Sequence, residues 1–316
     1  MPHPPNVSPD RARRAALRLF AFVAVLLLGT VLAACGSGAG DAGSGSGGAS
    51  GSAAPASPED APQRIVSLSP SATEILYAVG AGDQVVAVDE QSDYPEGVPT
   101  TDLSGYTPNL EAVLGYRPDL VVFADDAGGL AAGLDTVGVP SLQLPAPDSI
   151  EGAYEQFEQA GVVTGHPDQA RALVDTVRGQ ITDAVDRAGD AGTGKTYFHE
   201  LDSTLYTVTS ESFIGQIYGL FGLENIADSA SDAGAYPQLQ SEYVVSADPD
   251  LIFLADAQRG GASPESVAQR PGWSGITAVR DGQVHALNDD ITSRWGPRIG
   301  ELAQDIADIL TGKKGP

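Results

Sequence analysis

Sulfur and imidazole are scarce in this 316-residue chain, and each shortage closes off a class of chemistry. There is one cysteine, Cys35, so no disulfide can form within the chain and no second thiolate can share a zinc ion. Beyond Ala34 the only histidines are His166, His199 and His285, too few for a receptor that grips a bare metal ion through several imidazoles. Of these, His166 stands before Pro167 and His285 inside an apolar strand, which leaves only His199, beside Glu200, as a candidate near a ligand. Basic residues are also few: 17 Lys and Arg stand against 42 Asp and Glu, for a net charge of -25. Such a surface repels nucleic acid and anionic lipid headgroups and keeps the body soluble. No Gly-x-Ser-x-Gly elbow and no phosphate-binding loop occurs in the folded part, and Ser71, Ser210 and Ser212 lack a histidine at a nucleophile-base spacing. Glu200 with Asp125 has the chemistry of a hydrolytic carboxylate pair, but nothing in the sequence selects them. The expectation is a protein that is not an enzyme and carries no cofactor or metal of its own.

Long apolar runs are nearly missing too. Only Leu19 to Leu32 qualifies, and it is short for a membrane span. It follows Arg11, Arg13, Arg14 and Arg18, and ends in Leu32-Ala33-Ala34-Cys35. A basic n-region, an apolar core and small residues before a cut describe an export signal over residues 1–34. The last four residues resemble the lipobox of bacterial lipoproteins, which implies a diacylglycerol on the Cys35 thiol and Cys35 as first residue of the mature chain. An ordinary secretory signal is the alternative; Arg13-Arg14 followed by Ala-Ala-Leu is a weak twin-arginine signal. Two acyl chains suit stable anchoring, because each buried methylene contributes about 0.8 kcal/mol and a single chain is marginal. Residues 35–62 are mostly Gly, Ser, Ala, Asp and Pro, a tether with nothing to bury.

What remains states one motif twice. Glu111 is followed by Pro118-Asp119-Leu120-Val121-Val122-Phe123, and Glu242, at the same spacing, by Pro249-Asp250-Leu251-Ile252-Phe253-Leu254. Upstream, Leu76-Tyr77-Ala78-Val79 is echoed by Ile217-Tyr218-Gly219-Leu220. Recurrence of units in one order reads as two related lobes, and a ligand's natural place is the cleft between them.

Each lobe alternates strand and helix at short spacing, as in a mainly parallel sheet with helices on both faces. Arg64–Leu68, Val85–Val88 and Val121–Phe123 read as strands of the first lobe, with helices opening at Ser69 and Asn109. Lys195–Glu200, Leu251–Leu254 and Val284–Leu287 are strands of the second, with helices around Ile214 and Glu242 and a closing helix over Pro297–Leu310. Between them, Pro167 to about Arg187 repeats Ala170, Leu173, Val174, Val177, Ile181, Ala184 and Val185 at helical spacing. The expected fold is therefore two Rossmann-like α/β lobes, 63–165 and 191–316, joined by one backbone helix in 166–190. A helical connection of that length hinges poorly, so large closure is not expected.

In this order, Arg64-Ile65-Val66-Ser67-Leu68-Ser69-Pro70, Ser92-Asp93-Tyr94-Pro95, Asn109-Leu110-Glu111, Gly222-Leu223-Glu224-Asn225-Ile226, Tyr236-Pro237-Gln238 and Ser293-Arg294-Trp295-Gly296-Pro297-Arg298 resemble the cobalamin and ferric-siderophore branch of ABC-transporter substrate-binding proteins. The resemblance covers about Arg64 to Leu310. It implies a monomeric extracytoplasmic binding protein that delivers a corrinoid or metal chelate to a dimeric permease with its ATPase; haem or a bare metal ion is the alternative cargo. It places Glu111 and Glu242 on the lobe tips, where the family docks on permease arginines, although a first-turn Glu also suits the helix dipole by about 0.3–1 kcal/mol. It points to Tyr106 and Tyr236 as cleft aromatics, and to Asp125, Asp126, Glu200, Asp290, Arg294 and Trp295 as further ligand contacts. Asp125, Asp126 and Glu200 stand where cobalamin sites tend to carry aromatics. They imply a more acidic cleft, hostile to an anionic catecholate unless Arg294 and Arg298 offset them.

Overall fold

The computed structural model describes residues 61–230, 234–258 and 261–313. The leader, nearly all of the tether and Cys35 lie outside the described residues. The first lobe contains β1 (Ile65–Leu68), α1 (Pro70–Ala78), β2 (Val85–Asp89), β3 (Thr100–Leu103), α2 (Leu110–Gly115), β4 (Leu120–Phe123), α3 (Leu130–Thr136), β5 (Ser141–Gln143) and α4 (Ile150–Thr164). Then comes α5 (Pro167–Ala188), of 22 residues. The second lobe follows as β6 (Thr196–Glu200), α6 (Phe213–Gly219), β7 (Glu224–Asn225), α7 (Ser241–Ala247), β8 (Leu251–Leu254), α8 (Pro264–Ala268), α9 (Thr277–Arg280), β9 (Val284–Ala286), α10 (Asp289–Thr292) and α11 (Ile299–Leu310).

Both sheets are wholly parallel, in the orders β3-β2-β1-β4-β5 and β7-β6-β8-β9. The repeat seen in the sequence is a repeat of whole elements, since β1 and β6, α2 and α7, and β4 and β8 all begin at one common offset along the chain. The interior strands β4 and β8 are apolar throughout because both faces are covered, whereas the edge strands β3, β5 and β7 carry polar residues. Successive side chains alternate sides: Leu120 and Val122 of β4 join one core cluster, while Val121 and Phe123 join another. In β8, Leu251 and Phe253 point one way and Ile252 and Leu254 the other.

One cluster is shared by the two lobes. It runs from Ile65, Ile75 and Phe157 through Ala170, Val174, Val177, Ile181 and Ala184 of α5 to Tyr197, Ile217, Leu302 and Ile306. At 1.5 Å per residue α5 is a rod of about 33 Å, with α4 packed along it and α11 laid against it. The apolar stripe read from the sequence is thus the seam that joins the lobes. Bending this rod would break a continuous core, which is why a large hinge motion is not built into it. Among the described residues, no helix is long and apolar enough to cross a membrane.

Candidate functional site

The loops that leave the carboxyl ends of β1, β2, β3 and β4 converge, as they must in a parallel sheet, and that edge is where such sheets bind ligands. They enclose a cavity of about 320 Å³ with the segment Ser293-Arg294-Trp295 from the second lobe as its remaining wall. The lining comprises Leu68, Ser69, Pro70 and Ser71 after β1, Asp89 and Gln91 after β2, Gly105 and Tyr106 after β3, and Ala124 and Asp125 after β4. Ser69 is fixed there because its hydroxyl caps α1 by accepting from Ala72 N.

The expected contacts separate into two groups. Tyr106, Asp125, Arg294 and Trp295 line the cavity, and Tyr106 is 79% exposed, an aromatic plate open to whatever enters. The indole Nε1 of Trp295 is buried with no hydrogen-bond partner among the described residues, so it is a donor without an acceptor. Asp290 touches the site at one remove, 2.8 Å from Arg294 Nη2.

Three further expected contacts do not line this cavity. Asp126 turns its Oδ1 to the N–H of Ala131 at 2.8 Å and ties down the entry to α3. Tyr236 is half exposed but is not part of the cavity wall, so the two tyrosines do not share this pocket. Glu200 is the clearest correction. Its side chain is fully buried, and Arg270 Nη1 and Nη2 each donate to it at 2.6 Å. Burial raises its pKa while the guanidinium pulls it back. It is a satisfied internal ion pair rather than a cleft carboxylate.

His199 is likewise withdrawn from the cleft. It is fully buried, with Nδ1 3.0 Å from the Tyr218 hydroxyl and Nε2 unpartnered among the described residues. Burial holds its pKa at about 3, against an ordinary 6.5. The folded state therefore refuses a proton that the unfolded chain accepts, so stability is complete above pH 6.5 and drains away as pH falls toward 3. Burial lowers His285 in the same sense. We expect urea unfolding of His199→Gln to lose stability with falling pH less steeply than wild type between pH 6 and 4, by up to about 1.4 kcal/mol per pH unit. Parallel slopes for the two proteins would show that His199 protonates without penalty.

The structure adds two residues that the sequence reading missed. Glu74 on α1 is buried in the wall between the lobes and is held by both arginines of the late loop. Arg294 Nη1 lies 3.0 Å from its Oε1, and Arg298 Nε donates to Oε2 at 2.9 Å. Arg294 also donates to Asp93 at 3.2 Å and to the Gln91 carbonyl at 3.3 Å, and Arg298 stacks over the Tyr94 ring at 4.0 Å. A methyl group at Gly296 between them would stand 2.9 Å from Glu74 Oε2 and would push that carboxylate from its place. The two guanidiniums are thus committed to carboxylates and offset little for an incoming anion. The second missed residue is Asp89 on the cavity floor, 2% exposed, with a pKa raised by burial.

A parallel-sheet pair bridged by a single helix, with a half-open cavity at the strand ends, defines a solute-binding protein of the rigid, helix-spanned kind. The profile of the periplasmic binding protein family matches residues 65–291, and the chain belongs to that family. It is 29% identical over 308 residues to YvrC of Bacillus subtilis, an uncharacterized ABC transporter substrate-binding lipoprotein, covering 92% of this chain and 96% of YvrC. It is 31% identical over 266 residues to a cobalamin-binding protein of Halobacterium salinarum, covering 80% of this chain and 70% of the relative. Among solved structures, a possible iron-binding periplasmic solute-binding protein of Staphylococcus epidermidis superposes with a TM-score of 0.69. It is 26% identical, and the match covers 79% of this chain and 98% of that one.

Proposed function

We propose that this protein is the extracytoplasmic solute-binding lipoprotein of an ABC importer, that it captures a corrinoid between its lobes, and that it surrenders it to a dimeric permease driven by an ATPase. Cys35 carries the lipid anchor and residues 36–62 give the body freedom to reach the permease. Glu111 and Glu242 are the docking contacts. Both are exposed and sit in the first turns of α2 and α7, the repeated helices of the two lobes.

The observation that carries the corrinoid reading is the cavity wall: an exposed Tyr106 facing the space beside Trp295, with both nearby arginines engaged by Glu74. An exposed aromatic plate suits a large, flat ligand. A multiply anionic catecholate chelate would need cations that this cleft has already used. Withdrawal of Glu200 also removes one of the carboxylates that weighed against a corrin. The 31% identity to a cobalamin-binding protein supports the same cargo.

The test is a titration of the intact protein with cyanocobalamin, read by tryptophan fluorescence and by calorimetry. We expect saturable binding with Kd of about 1 µM or tighter, which corresponds to about −8 kcal/mol. Tyr106→Ala should weaken it about tenfold or more. Trp295→Phe separates the cleft signal from Trp273, which is fully buried in the second lobe with its Nε1 on Ser241 Oγ at 2.7 Å. Absence of cyanocobalamin binding, with saturable binding of haem or a ferric chelate in the same assay, would overturn the corrinoid reading.

A further inference from the structure

The cavity floor holds a carboxylate that ordinary fold chemistry does not require to face a ligand. Asp89 closes β2 and lines the cavity while only 2% exposed. Its Oδ1 accepts from Ser92 N at 2.9 Å, and the Ser92 hydroxyl lies 3.0 Å from Thr73 Oγ1, which in turn donates to Ser67 Oγ at 2.9 Å. This chain of buried hydroxyls fixes Ser92, whose backbone N–H in turn orients the carboxylate. A group held in this way is preorganised, so meeting a ligand costs it little conformational freedom.

Oδ2 lies under Gly105. A methyl group at that position would stand 2.9 Å from Oδ2 and would overlap the Leu68 carbonyl oxygen. Only glycine can pack this closely on Asp89 and the end of β1, and Gly105, Leu68 and Asp89 all line the cavity. A carboxylate at the cavity wall accepts and does not donate, so it matches a ligand group that presents N–H donors. The cations that could have neutralised Asp89 for an anionic ligand are engaged elsewhere: Arg294 meets Glu74, Asp93 and Asp290, and Arg298 meets Glu74. Asp125 adds a further carboxylate to the wall.

We propose that Asp89 selects the class of ligand, by accepting the N–H donors of a primary carboxamide on the ligand's edge and repelling a ligand that presents a carboxylate there. The inference rests on the corrinoid reading and deepens it. A corrin ring is fringed with primary carboxamides, whereas a haem carries two carboxylates, so one buried acid is enough to tell the two tetrapyrroles apart. A charge-assisted hydrogen bond from an amide to a buried carboxylate is stronger than a neutral one, and removal of the charge should be felt as about a tenfold change in Kd.

The experiment uses the intact protein at pH 8, with cyanocobalamin and the three cyanocobalamin monocarboxylic acids in which one peripheral amide has become an acid. Wild type should bind at least one of the acids about tenfold or more weakly than cyanocobalamin. Asp89→Asn keeps the shape and an oxygen for Ser92 N but loses the charge. It should bind cyanocobalamin about tenfold more weakly and regain affinity for the disfavoured acid, at an unchanged melting temperature. Equal binding of all four ligands by wild type overturns the proposal without any variant. Cyanocobalamin binding that is unchanged in Asp89→Asn, or a variant that loses amide and acid forms in equal measure, also overturns it, since a merely structural carboxylate behaves in that way. If wild type binds no cyanocobalamin, the functional reading itself fails and this inference goes with it, a result distinct from the others.

Discussion

Glu74→Ala is expected to lower the free energy of unfolding by about 3–5 kcal/mol, a far larger loss than any exposed carboxylate of this acidic protein could produce. Glu74 is 1% exposed at its side chain, and Arg294 and Arg298 are 7% and 11% exposed. Taking one carboxylate from between two buried guanidiniums leaves two cations with less compensation than folding requires. For a folded body of roughly 250 residues, a loss of this size shifts the melting temperature by about 6–20 °C. The variant has a second consequence, because Trp295 lies in the chain between the two arginines and forms part of the cavity wall. Loosening Arg294 and Arg298 should therefore weaken ligand binding as well as stability. A triple replacement, Glu74→Met with Arg294→Met and Arg298→Met, should recover much of the stability, since an apolar cluster can replace a buried ion cluster without loss. It should recover less of the affinity. Urea titration and calorimetry on the two variants read both effects. A Glu74→Ala protein within about 1 kcal/mol of wild type, the range of an ordinary surface pair, would show that the ion cluster does not tie the lobes together.

The contrast between Glu74 and Glu111 shows what is legible in the sequence. Glu111 is legible because its neighbours repeat: the element that carries it recurs in the second lobe with the same first-turn acid. The interior strands are legible for a related reason, since a parallel sheet covered on both faces demands apolar runs such as Leu251–Leu254, whereas the polar edge strands β3, β5 and β7 carry no such run and are absent from the sequence reading. Helix α5 is legible through its stripe and its Pro167 start. Helix α4, by contrast, is absent from the sequence reading, although it runs for 15 residues behind the Ser149 cap. Its buried positions include Ala153, Gln156, Ala160 and Gly161, small or polar residues that carry little hydrophobic signal.

Side-chain pairing is the larger loss. Glu74 reads as an ordinary helix residue, and nothing local announces partners 220 and 224 positions away. Glu200 and Arg270 are 70 apart and look like two surface charges until the fold joins them. Asp89 precedes Glu90 at the end of a strand, where a solvated turn is the commoner outcome, and only the convergence of four loops turns it into a cavity floor. Long-range ion pairs depend on topology rather than on pattern, so a single sequence displays the acids and bases but not which of them meet. Asp125 and Asp89 thus line the cavity, whereas Glu200 is paired with Arg270 away from it.

Reversal of both tip charges, Glu111→Lys with Glu242→Lys, should abolish uptake while leaving ligand affinity and the fold intact. The two side chains are exposed, and neither forms an ion pair among the described residues. Their local role is to favour the helix dipole, at about 0.3–1 kcal/mol each. The N-cap of α2 does not depend on Glu111, since Asn109 Oδ1 accepts from Ala112 N at 3.0 Å. The fold can therefore absorb the exchange, and the cavity is lined by neither residue. At an interface the same change acts differently. Complementary charges set encounter rate and register, and like charges brought together cost several kcal/mol. Two such penalties, one per lobe, would lower productive docking about a hundredfold or more. Each single reversal leaves one contact and should reduce uptake without abolishing it. Uptake of labelled cyanocobalamin by cells expressing the full chain reads transport, and calorimetry on the same variants reads binding. Survival of uptake in the double variant would remove the docking role from these residues and leave them as helix-terminal acids, one on each copy of a duplicated lobe.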